Sequence, residues 1–373
     1  MVSNIKKERL IDTFIELIKI NSPSFSEKTI CNHLNTLLRN CGFKTTIQDF
    51  GRSINLIGFK EGHDNTIPTL ILSAHMDTVQ PTEGLSYSID DERIKSTGNT
   101  ILGADDKSAI AQIIEAIRVI QETNIEHGDI EIVFTSAEEK GLIGAKSLDY
   151  ASLKGKMALV IDSTGSVGRI IIAAPTHLTY ELTVNGKSAH AGIEPEKGIN
   201  AIRVVSEIIA NIPDGRIDSV TTANVGYIRG GGETNVVPAE VTIKGEIRSH
   251  DRETLNKTIQ RLKDTINDVC EKASTKYSLK ESIEYESFRI DNDDAFLSIV
   301  KQAYENVGIN PELAVSGGGS DANIFNHKGI KAINISNGMQ SVHTNEEYIL
   351  IDDLVKGASV IVEIIKTMRQ YRQ

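Results

Sequence analysis

The residues best placed for chemistry begin with His75 and Asp77, which follow the apolar run TLILS (69–73). In an HxD arrangement the aspartate can hold one nitrogen of the imidazole ring while the other nitrogen faces a metal ion. A histidine that is hydrogen-bonded within a loop gives the same pattern. This segment alone therefore leaves a metal ligand and a loop histidine as alternatives.

Two adjacent aspartates, Asp105 and Asp106, follow a glycine in the segment GADDK (103–107), at the start of a predicted helix. An acidic side chain at a helix start is stabilised by the helix dipole, so capping explains one aspartate well. Capping explains two of them less well, and a carboxylate with two free oxygens can bridge a pair of cations. A cap and a metal ligand both remain open at this point.

Two adjacent glutamates, Glu138 and Glu139, follow the run IEIVFT (130–135) and precede a glycine turn. Their carboxylates repel each other unless a cation or a proton separates their roles. Adjacent glutamates are common on solvated faces, but at a strand end one can ligate a metal while the other acts as a base on metal-bound water. The position of this pair favours the second interpretation.

Two further candidates lie far apart in the sequence. Asp162 ends the apolar run ALVID (158–162), where a carboxylate needs a partner, with a turn residue as the alternative. His343 lies in SVHTNE (341–346), after the last predicted strand and a glycine loop. All the candidate ligands offer nitrogen or oxygen atoms, a set that suits zinc, manganese or cobalt: His75, Asp105, Glu139, Asp162 and His343.

The elements that must position these residues alternate between strands and helices. Short β-branched runs at 69–73, 130–135, 158–162 and 330–336 are typical of a buried parallel sheet, and apolar residues repeat on one face of a helix from 107 to 121. This order predicts an α/β fold, a three-layer α/β/α sandwich with a mostly parallel sheet. Open α/β sheets build their sites beyond the carboxyl ends of the strands, where the candidate residues fall.

The pattern changes after Pro175. An alternating strand begins at 176, a helix follows near 198–211, strands follow at 222–230 and 239–249, and another helix ends near 276. This β-α-β-β-α order predicts a small α+β domain at 176–288, inserted into a larger discontinuous domain formed by 1–175 and 289–373.

Composition excludes several classes of protein. The formal net charge of −11 argues against a nucleic-acid partner, because such binding depends on Lys and Arg neutralising phosphates. No apolar run approaches the roughly 20 residues that cross a bilayer, and the first residues are typical of an amphipathic helix, so we expect a cytoplasmic protein without a membrane partner. Three cysteines without CxxC spacing predict reduced packing residues, not a disulfide framework or a cysteine metal site.

These motifs resemble those of a known family, the co-catalytic zinc metallopeptidases that include aminoacylase, carboxypeptidase G and peptidase T. The matching segments keep the family's order from about residue 70 to 350. Two of them, GADDK and the Glu-Glu segment, are closest to those of the peptidase T-like tripeptidases, and so is the further segment SGGGSDANIF (316–325). The full set is SAHMDTV, GADDKSA, TSAEEKGLIGA, Asp162 at a strand end, GKSAHAG, ETNVVPAE and HTNEEYI.

The resemblance implies two zinc ions per subunit, with manganese or cobalt as substitutes. One ion would be held by His75, Asp105 and Asp162, and the other by Asp105, Glu139 and His343, so that Asp105 bridges them. The resemblance also implies that Asp77 orients His75, that Glu138 is the general base, and that the peptide bond after Asp105 is cis.

The inserted domain would correspond to the family's lid and dimerisation domain, so the resemblance implies a homodimer formed through it. His190 in GKSAHAG would stabilise the oxyanion, with a loop histidine as the alternative. Asn235 and Arg248 match positions that bind substrate; the guanidinium of Arg248 suits a carboxylate, and a strand-end ion pair is its alternative. The glycine run 316–320 lacks the GK[ST] ending of a phosphate loop, which favours a substrate loop.

The sequence therefore predicts a metal-dependent exopeptidase that hydrolyses short peptides, namely a tripeptide aminopeptidase in which Glu138 is the base for an activated water. A carboxypeptidase or an N-acyl amino acid deacylase of the same family could use the same ligands. A non-enzymatic module with a structural metal is the remaining alternative, although structural zinc sites are usually closed and built from Cys and His.

Overall fold

The computed structural model describes residues 4–371, so residues 1–3 and 372–373 of the predicted larger domain lie outside the described part. The helices are α1 (Lys7–Ile18), α2 (Lys28–Asn40), α3 (Ala104–Thr123), α4 (Ile143–Ser147), α5 (Ala201–Asn211), α6 (Arg252–Lys272), α7 (Ala295–Asn306), α8 (Asp321–His327) and α9 (Ile351–Thr367). The strands are β1 (Lys44–Asp49), β2 (Ile54–Lys60), β3 (Leu70–His75), β4 (Tyr87–Ile89), β5 (Arg93–Ser96), β6 (Ile130–Thr135), β7 (Met157–Ser163), β8 (Arg169–Ala174), β9 (Thr176–Asn185), β10 (Gly215–Arg216), β11 (Thr221–Gly230), β12 (Glu240–Ser249), β13 (Lys276–Tyr285), β14 (Phe288–Arg289), β15 (Glu312–Val315), β16 (Lys331–Ser336), β17 (Met339–Gln340) and β18 (Tyr348–Leu350).

The chain divides into two compact units. The larger unit runs through Ile172 and includes Arg289–Val315 and the chain from Ser320, whereas the smaller unit comprises Ala173–Phe288 and Ser316–Gly319. The predicted domain bounds therefore differ from these units at residues 173–175 and 316–319. A hydrogen bond from the Ser316 amide to the Ala173 carbonyl (2.9 Å) holds the glycine loop within the smaller unit.

The sheet of the larger unit has the strand order β1-β2-β6-β3-β7-β16-β8-β14, with β15 paired to β8. Its four central strands, β6, β3, β7 and β16, are parallel. The pairs β1/β2, β2/β6 and β16/β8 on either side of them are antiparallel. Every residue of β3 and β6 is buried, as expected where helices cover both faces of parallel strands.

Two groups of helices cover this sheet. Helix α3 packs on β3 and β7 and against α1 and α9, while α8 packs on β7 and β16 and against α4. Helix α3 is buried on nearly all sides, so it lies in the interior of its layer. The α/β class and the mostly parallel sheet predicted from the sequence are therefore confirmed. Within the described residues, every helix is too short or too polar to cross a bilayer.

The smaller unit is an antiparallel sheet with the order β10-β11-β12-β9-β13, and α5 and α6 pack on it over a separate hydrophobic core. The predicted order lacks β10 and β13, and the helix predicted to end near 276 ends at Lys272. Strand β13 has the sequence KYSLKESIEY, in which apolar residues alternate with polar ones except at Glu281. This alternation is the signal by which the strand could have been predicted.

The turn after β6 carries the two adjacent glutamates and closes on itself at Gly144. The Gly144 amide donates to the Ser136 carbonyl (2.8 Å), and the buried Asn55 side chain donates to the Gly144 carbonyl (2.8 Å). A Cβ at Gly144 would lie 2.3 Å from the Ser136 carbonyl oxygen, closer than real contacts allow. Only glycine therefore permits this close approach.

We expect Gly144→Ala to destabilise the protein by about 1–3 kcal/mol, because the added methyl group must push the turn away from Ser136. Thermal unfolding followed by circular dichroism should show a melting temperature several degrees below that of the wild type. Gly232→Ala is the control, because no atom lies within 4 Å of a Cβ at Gly232. Equal melting temperatures for the two variants would contradict the proposed close contact.

Candidate metal centre

The candidate ligands meet at the carboxyl edge of the parallel strands. His75 is the last residue of β3, Asp162 lies near the end of β7, and Glu139 follows β6. Asp105 opens α3, and His343 lies in the loop between β17 and β18. The carboxyl ends of parallel strands share one edge, which explains how residues distant in sequence converge.

Asp105 lies between the two histidines. Its Oδ1 is 3.0 Å from Nε2 of His75, and its Oδ2 is 3.1 Å from Nε2 of His343. Each oxygen of one carboxylate thus faces a different imidazole nitrogen. This is the arrangement that a carboxylate bridging two ions requires.

Further donors complete a set on each side of Asp105. Donor atoms of His75, Asp105 and Asp162 lie within 4.8 Å of one another, and so do those of Asp105, Glu139 and His343. A third group, formed by His75, Glu138 and Glu139, meets the same distance criterion. The two groups that share Asp105 offer mixed imidazole and carboxylate donors, which fit zinc, manganese or cobalt.

The imidazole of His75 is oriented by Asp77. Nδ1 of His75 donates to the Asp77 carbonyl (2.9 Å), and a carboxylate oxygen of Asp77 lies 3.5 Å from the same nitrogen. A proton on Nδ1 leaves the lone pair of Nε2 free for a metal ion. The Asp77 carboxylate also accepts hydrogen bonds from the amides of Glu138 (2.9 Å) and Glu139 (3.3 Å), so it holds the glutamate turn beside His75.

The carboxylates are buried together, which is costly without positive charge. Burial, followed by repulsion from nearby carboxylates, raises the pKa of Asp162 and of Glu138 well above the usual range, although His75 opposes this. Hydrogen bonds to Asp105 and Glu139 raise the pKa of His343 to about 10. The raised pKa values mean that the carboxyl groups keep their protons when no cation is near. A pair of divalent cations would replace those protons and allow the carboxylates to ionise, so the residues present fit such ions.

The second aspartate of GADDK has a different role from the first. Asp106 accepts a hydrogen bond from the His75 amide (3.2 Å) and another from Nδ2 of Asn337 (2.8 Å). It therefore ties α3 to the end of β3 and to the segment that follows β16. The peptide bond between Asp105 and Asp106 is cis, as the resemblance implies.

The sequence prediction missed several residues that hold the ligands in place. Ser24 donates to the Asp77 carboxylate (2.7 Å), and buried Glu27 accepts a hydrogen bond from the Ala137 amide (2.9 Å). Glu347 accepts hydrogen bonds from three amides of the loop that leads into α3. No local spacing marks these residues, because their partners lie far away in the sequence.

The candidate substrate residues all lie in the smaller unit. His190 and Asn235 are exposed on neighbouring segments, which are joined by a hydrogen bond from the Ala191 amide to the Asn235 carbonyl (2.9 Å). Arg248 is half-buried at the end of β12 and donates through Nε and Nη2 to the Glu246 carboxylate (3.0 and 3.1 Å). The ion pair that the sequence left as an alternative for Arg248 is therefore present, and Nη1 has only longer contacts.

Nη1 of Arg248 faces the glycine loop. It lies 3.3 Å from the Tyr285 hydroxyl and 3.4 Å from the Gly317 carbonyl. Gly319 packs against the Tyr285 ring so closely that a Cβ would lie 2.3 Å from a ring carbon. Arg248, Tyr285 and residues 316–319 thus form one cluster within the smaller unit.

Comparison with known proteins identifies the family. The model of peptidase family M20/M25/M40 matches residues 71–367. The uncharacterized protein YqjE of Bacillus subtilis is 39% identical over 97% of this chain and 99% of its own length. The crystal structure of the aminopeptidase PepT from Bacillus cereus has a TM-score of 0.91 at 38% identity, covering 98% of this chain and 99% of that one.

The crystal structure of a tripeptidase from Staphylococcus aureus is also similar over the whole fold, with a TM-score of 0.95 at 34% identity, covering 98% of this chain and 100% of that one. The family match spans most of the sequence and includes every candidate metal ligand. The chain therefore belongs to peptidase family M20/M25/M40 and is a peptidase T-like metallopeptidase.

Proposed function

We propose that the protein is a tripeptide aminopeptidase that uses two metal ions, zinc in the first place and manganese or cobalt as substitutes. The observation that carries this proposal is the placement of Asp105, whose two oxygens each face one histidine within a complete donor set. The choice of substrate rests on the similarity to the Bacillus cereus aminopeptidase and the Staphylococcus aureus tripeptidase.

One ion would be held by His75, Asp105 and Asp162, and the other by Asp105, Glu139 and His343. When bound, such a pair of ions acidifies a water molecule and polarises the peptide carbonyl. Asp77 fixes the tautomer of His75, and its carboxylate fixes the backbone of both glutamates. The chain thereby holds its donors in place before substrate arrives.

Glu138 is the general base in this proposal. Burial and neighbouring carboxylates favour its neutral form and raise its pKa, whereas the two cations would oppose this effect. Glu138 would therefore begin as a carboxylate and still hold a transferred proton more readily than an exposed glutamate. It takes a proton from the attacking water as the water adds to the peptide carbonyl carbon. It then delivers that proton to the leaving amine as the carbon–nitrogen bond breaks.

The smaller unit would supply substrate recognition as a lid. His190 and Asn235 are exposed polar residues available to a peptide, and His190 would donate to the oxyanion. Arg248 would bind the carboxylate at the C-terminus of the peptide through Nη1, with its fork oriented by Glu246. A short peptide would then be recognised at both ends.

We further propose that the protein forms a homodimer through the lid. Strand β10 pairs only with Thr222 and Ala223 of β11, so within the described residues the remainder of that edge of β11 pairs with no strand. The edge carries Tyr227 and Ile228, which are 42% and 56% exposed. An exposed apolar edge supports pairing with a second copy, and His190 would then serve the site of the neighbouring subunit.

The proposed compartment is the cytoplasm. Cys31, Cys41 and Cys270 are all free and buried. Burial raises the pKa of each of the three thiols, which disfavours the reactive thiolate. Reduced packing cysteines of this kind support a reducing compartment.

The proposed substrate class is tested by incubating the protein with a mixture of di- and tripeptides and added zinc, manganese or cobalt. Mass spectrometry should detect N-terminal residues and intact dipeptides released from tripeptides. N-acetylated tripeptides are the control and should remain uncleaved. Release of C-terminal residues would identify a carboxypeptidase, and loss of the acetyl group alone would identify a deacylase.

We expect Glu138→Gln to reduce turnover by about 10²–10⁴-fold, because the amide cannot accept the proton. Elemental analysis should find the same metal content as in the wild type, since Glu138 is not one of the proposed ligands. Glu139→Gln is the matched comparison and should lower the metal content. Near-normal turnover by Glu138→Gln would refute the role of the base.

We expect Arg248→Ala to raise the KM for peptides with a free C-terminal carboxylate by about 10–100-fold, which corresponds to the loss of a charge-assisted hydrogen bond of roughly 1.5–3 kcal/mol. Peptides with an amidated C-terminus should be affected much less. Arg261→Ala, at an exposed position on α6, is the control and should keep the KM of the wild type. An equal loss with both kinds of peptide would show that Arg248 does not recognise the carboxylate.

A further inference from the structure

Glu347 is a buried carboxylate four residues after the candidate ligand His343. Its side chain is 0% exposed, whereas the preceding Glu346 is exposed. One oxygen of Glu347 accepts hydrogen bonds from the amides of Leu102 (2.7 Å) and Gly103 (2.8 Å), and the other accepts one from the amide of Asp105 (3.0 Å). The two loops that bring Asp105 and His343 together are therefore joined by one side chain.

The three amides have no partner in regular secondary structure. Gly103 has a left-handed φ of 79°, and Asp105, with φ −80° and ψ 102°, departs from helical geometry although it lies at the start of α3. Amides at a helix start need partners outside the helix. Glu347 supplies them, and one of the three belongs to the residue that faces both histidines.

The loop that carries His343 also depends on this anchor. Ser341 and His343 have positive φ values of 51° and 63°, which residues other than glycine seldom adopt. The turn is closed by a hydrogen bond from Thr344 Oγ1 to the Ser341 carbonyl (2.7 Å) and by one from the Glu347 amide to the Thr344 carbonyl (3.3 Å). Glu347 is thus linked through Thr344 to the turn that carries His343.

We propose that Glu347 is a positioning residue that fixes the distance between the Asp105 carboxylate and the His343 imidazole, and thereby the binding of the second metal ion. The inference rests on the ligand set of the proposed function. Nε2 of His343 lies 3.1 Å from Oδ2 of Asp105, and the link through Glu347 joins the backbones on both sides of this contact. A simple helix cap would stabilise α3 without affecting the second ion.

Glu347→Gln tests the positioning role, because glutamine keeps the size of the side chain but has only one accepting oxygen. That oxygen can serve Leu102 and Gly103 or it can serve Asp105, and the amide group would face an N–H that it cannot bind. Glu346→Gln is the matched control, since it removes the same charge at the neighbouring exposed position.

The test is a titration of metal-free protein with Co²⁺, followed by the visible absorption spectrum and by calorimetry. We expect wild type and Glu346→Gln to bind two ions with the same affinities and spectra. Glu347→Gln should bind the second ion about 10–100-fold more weakly, the loss typical of groups that orient a metal ligand. The affinity for the first ion should fall by less, because that ion shares Asp105 but also binds His75 and Asp162. The spectrum of the doubly loaded variant should also change.

An unchanged second affinity and spectrum in Glu347→Gln, even with a lower melting temperature, would overturn the positioning role and leave only a cap. Fewer than two ions bound by the wild type would overturn both this inference and the proposed ligand set. The assay uses no peptide, so an error in the proposed substrate would not affect it. If Glu347→Gln does not fold, Glu347→Asp is the alternative variant, because it keeps the charge but shortens the side chain by one methylene group. It should also weaken the binding of the second ion, and normal binding by Glu347→Asp would overturn the proposal.

Discussion

The structure of the larger unit is governed by the need to hold several carboxylates close together in a buried place. Asp105 lies between two imidazoles and shares a donor group with Asp162 on one side and with Glu139 on the other, while Glu138 shares a group with His75. Burial and mutual repulsion make such a cluster costly unless positive charge is added. Two divalent cations would relieve that cost, so metal binding would also stabilise the folded site.

The chain meets this constraint by fixing the backbone of two candidate ligand loops with further carboxylates. Asp77 accepts hydrogen bonds from the amides of the glutamate turn, and Glu27 accepts one from Ala137 in the same turn. Glu347 does the same for the loop of Asp105. A hydrogen bond from a backbone amide to a carboxylate restricts the movement of the loop, and rigid loops hold the donor side chains in a fixed arrangement for the metal ions.

The sequence indicates the candidate ligands better than the residues that support them, and the reason is physical. A ligand must be His, Asp or Glu beyond a strand end, so residue type and position indicate it, as they do for His75 and Asp162. A support such as Glu27 acts on the glutamate turn through a distant backbone partner, Ala137, which no local pattern marks. The fold shows a similar contrast: buried strands such as β3 are evident from apolar runs, whereas β13 has no such run and only an alternation that Glu281 interrupts.

The same device recurs in the smaller unit. Glu246 accepts hydrogen bonds from Nε and Nη2 of Arg248. The hydrogen bond from His177, together with those from Arg248, lowers the pKa of Glu246 to about 2 despite its partial burial. The carboxylate therefore stays ionised, and it occupies one side of the guanidinium permanently. An anion that binds Arg248 must approach the N–H groups that Glu246 does not use, which are those of Nη1, beside the Tyr285 hydroxyl, and the second one of Nη2. Glu246 thus restricts the direction from which an anion can bind Arg248, and it also neutralises part of the positive charge of the guanidinium. Recognition of an anion there would depend more on directional hydrogen bonds than on general electrostatic attraction.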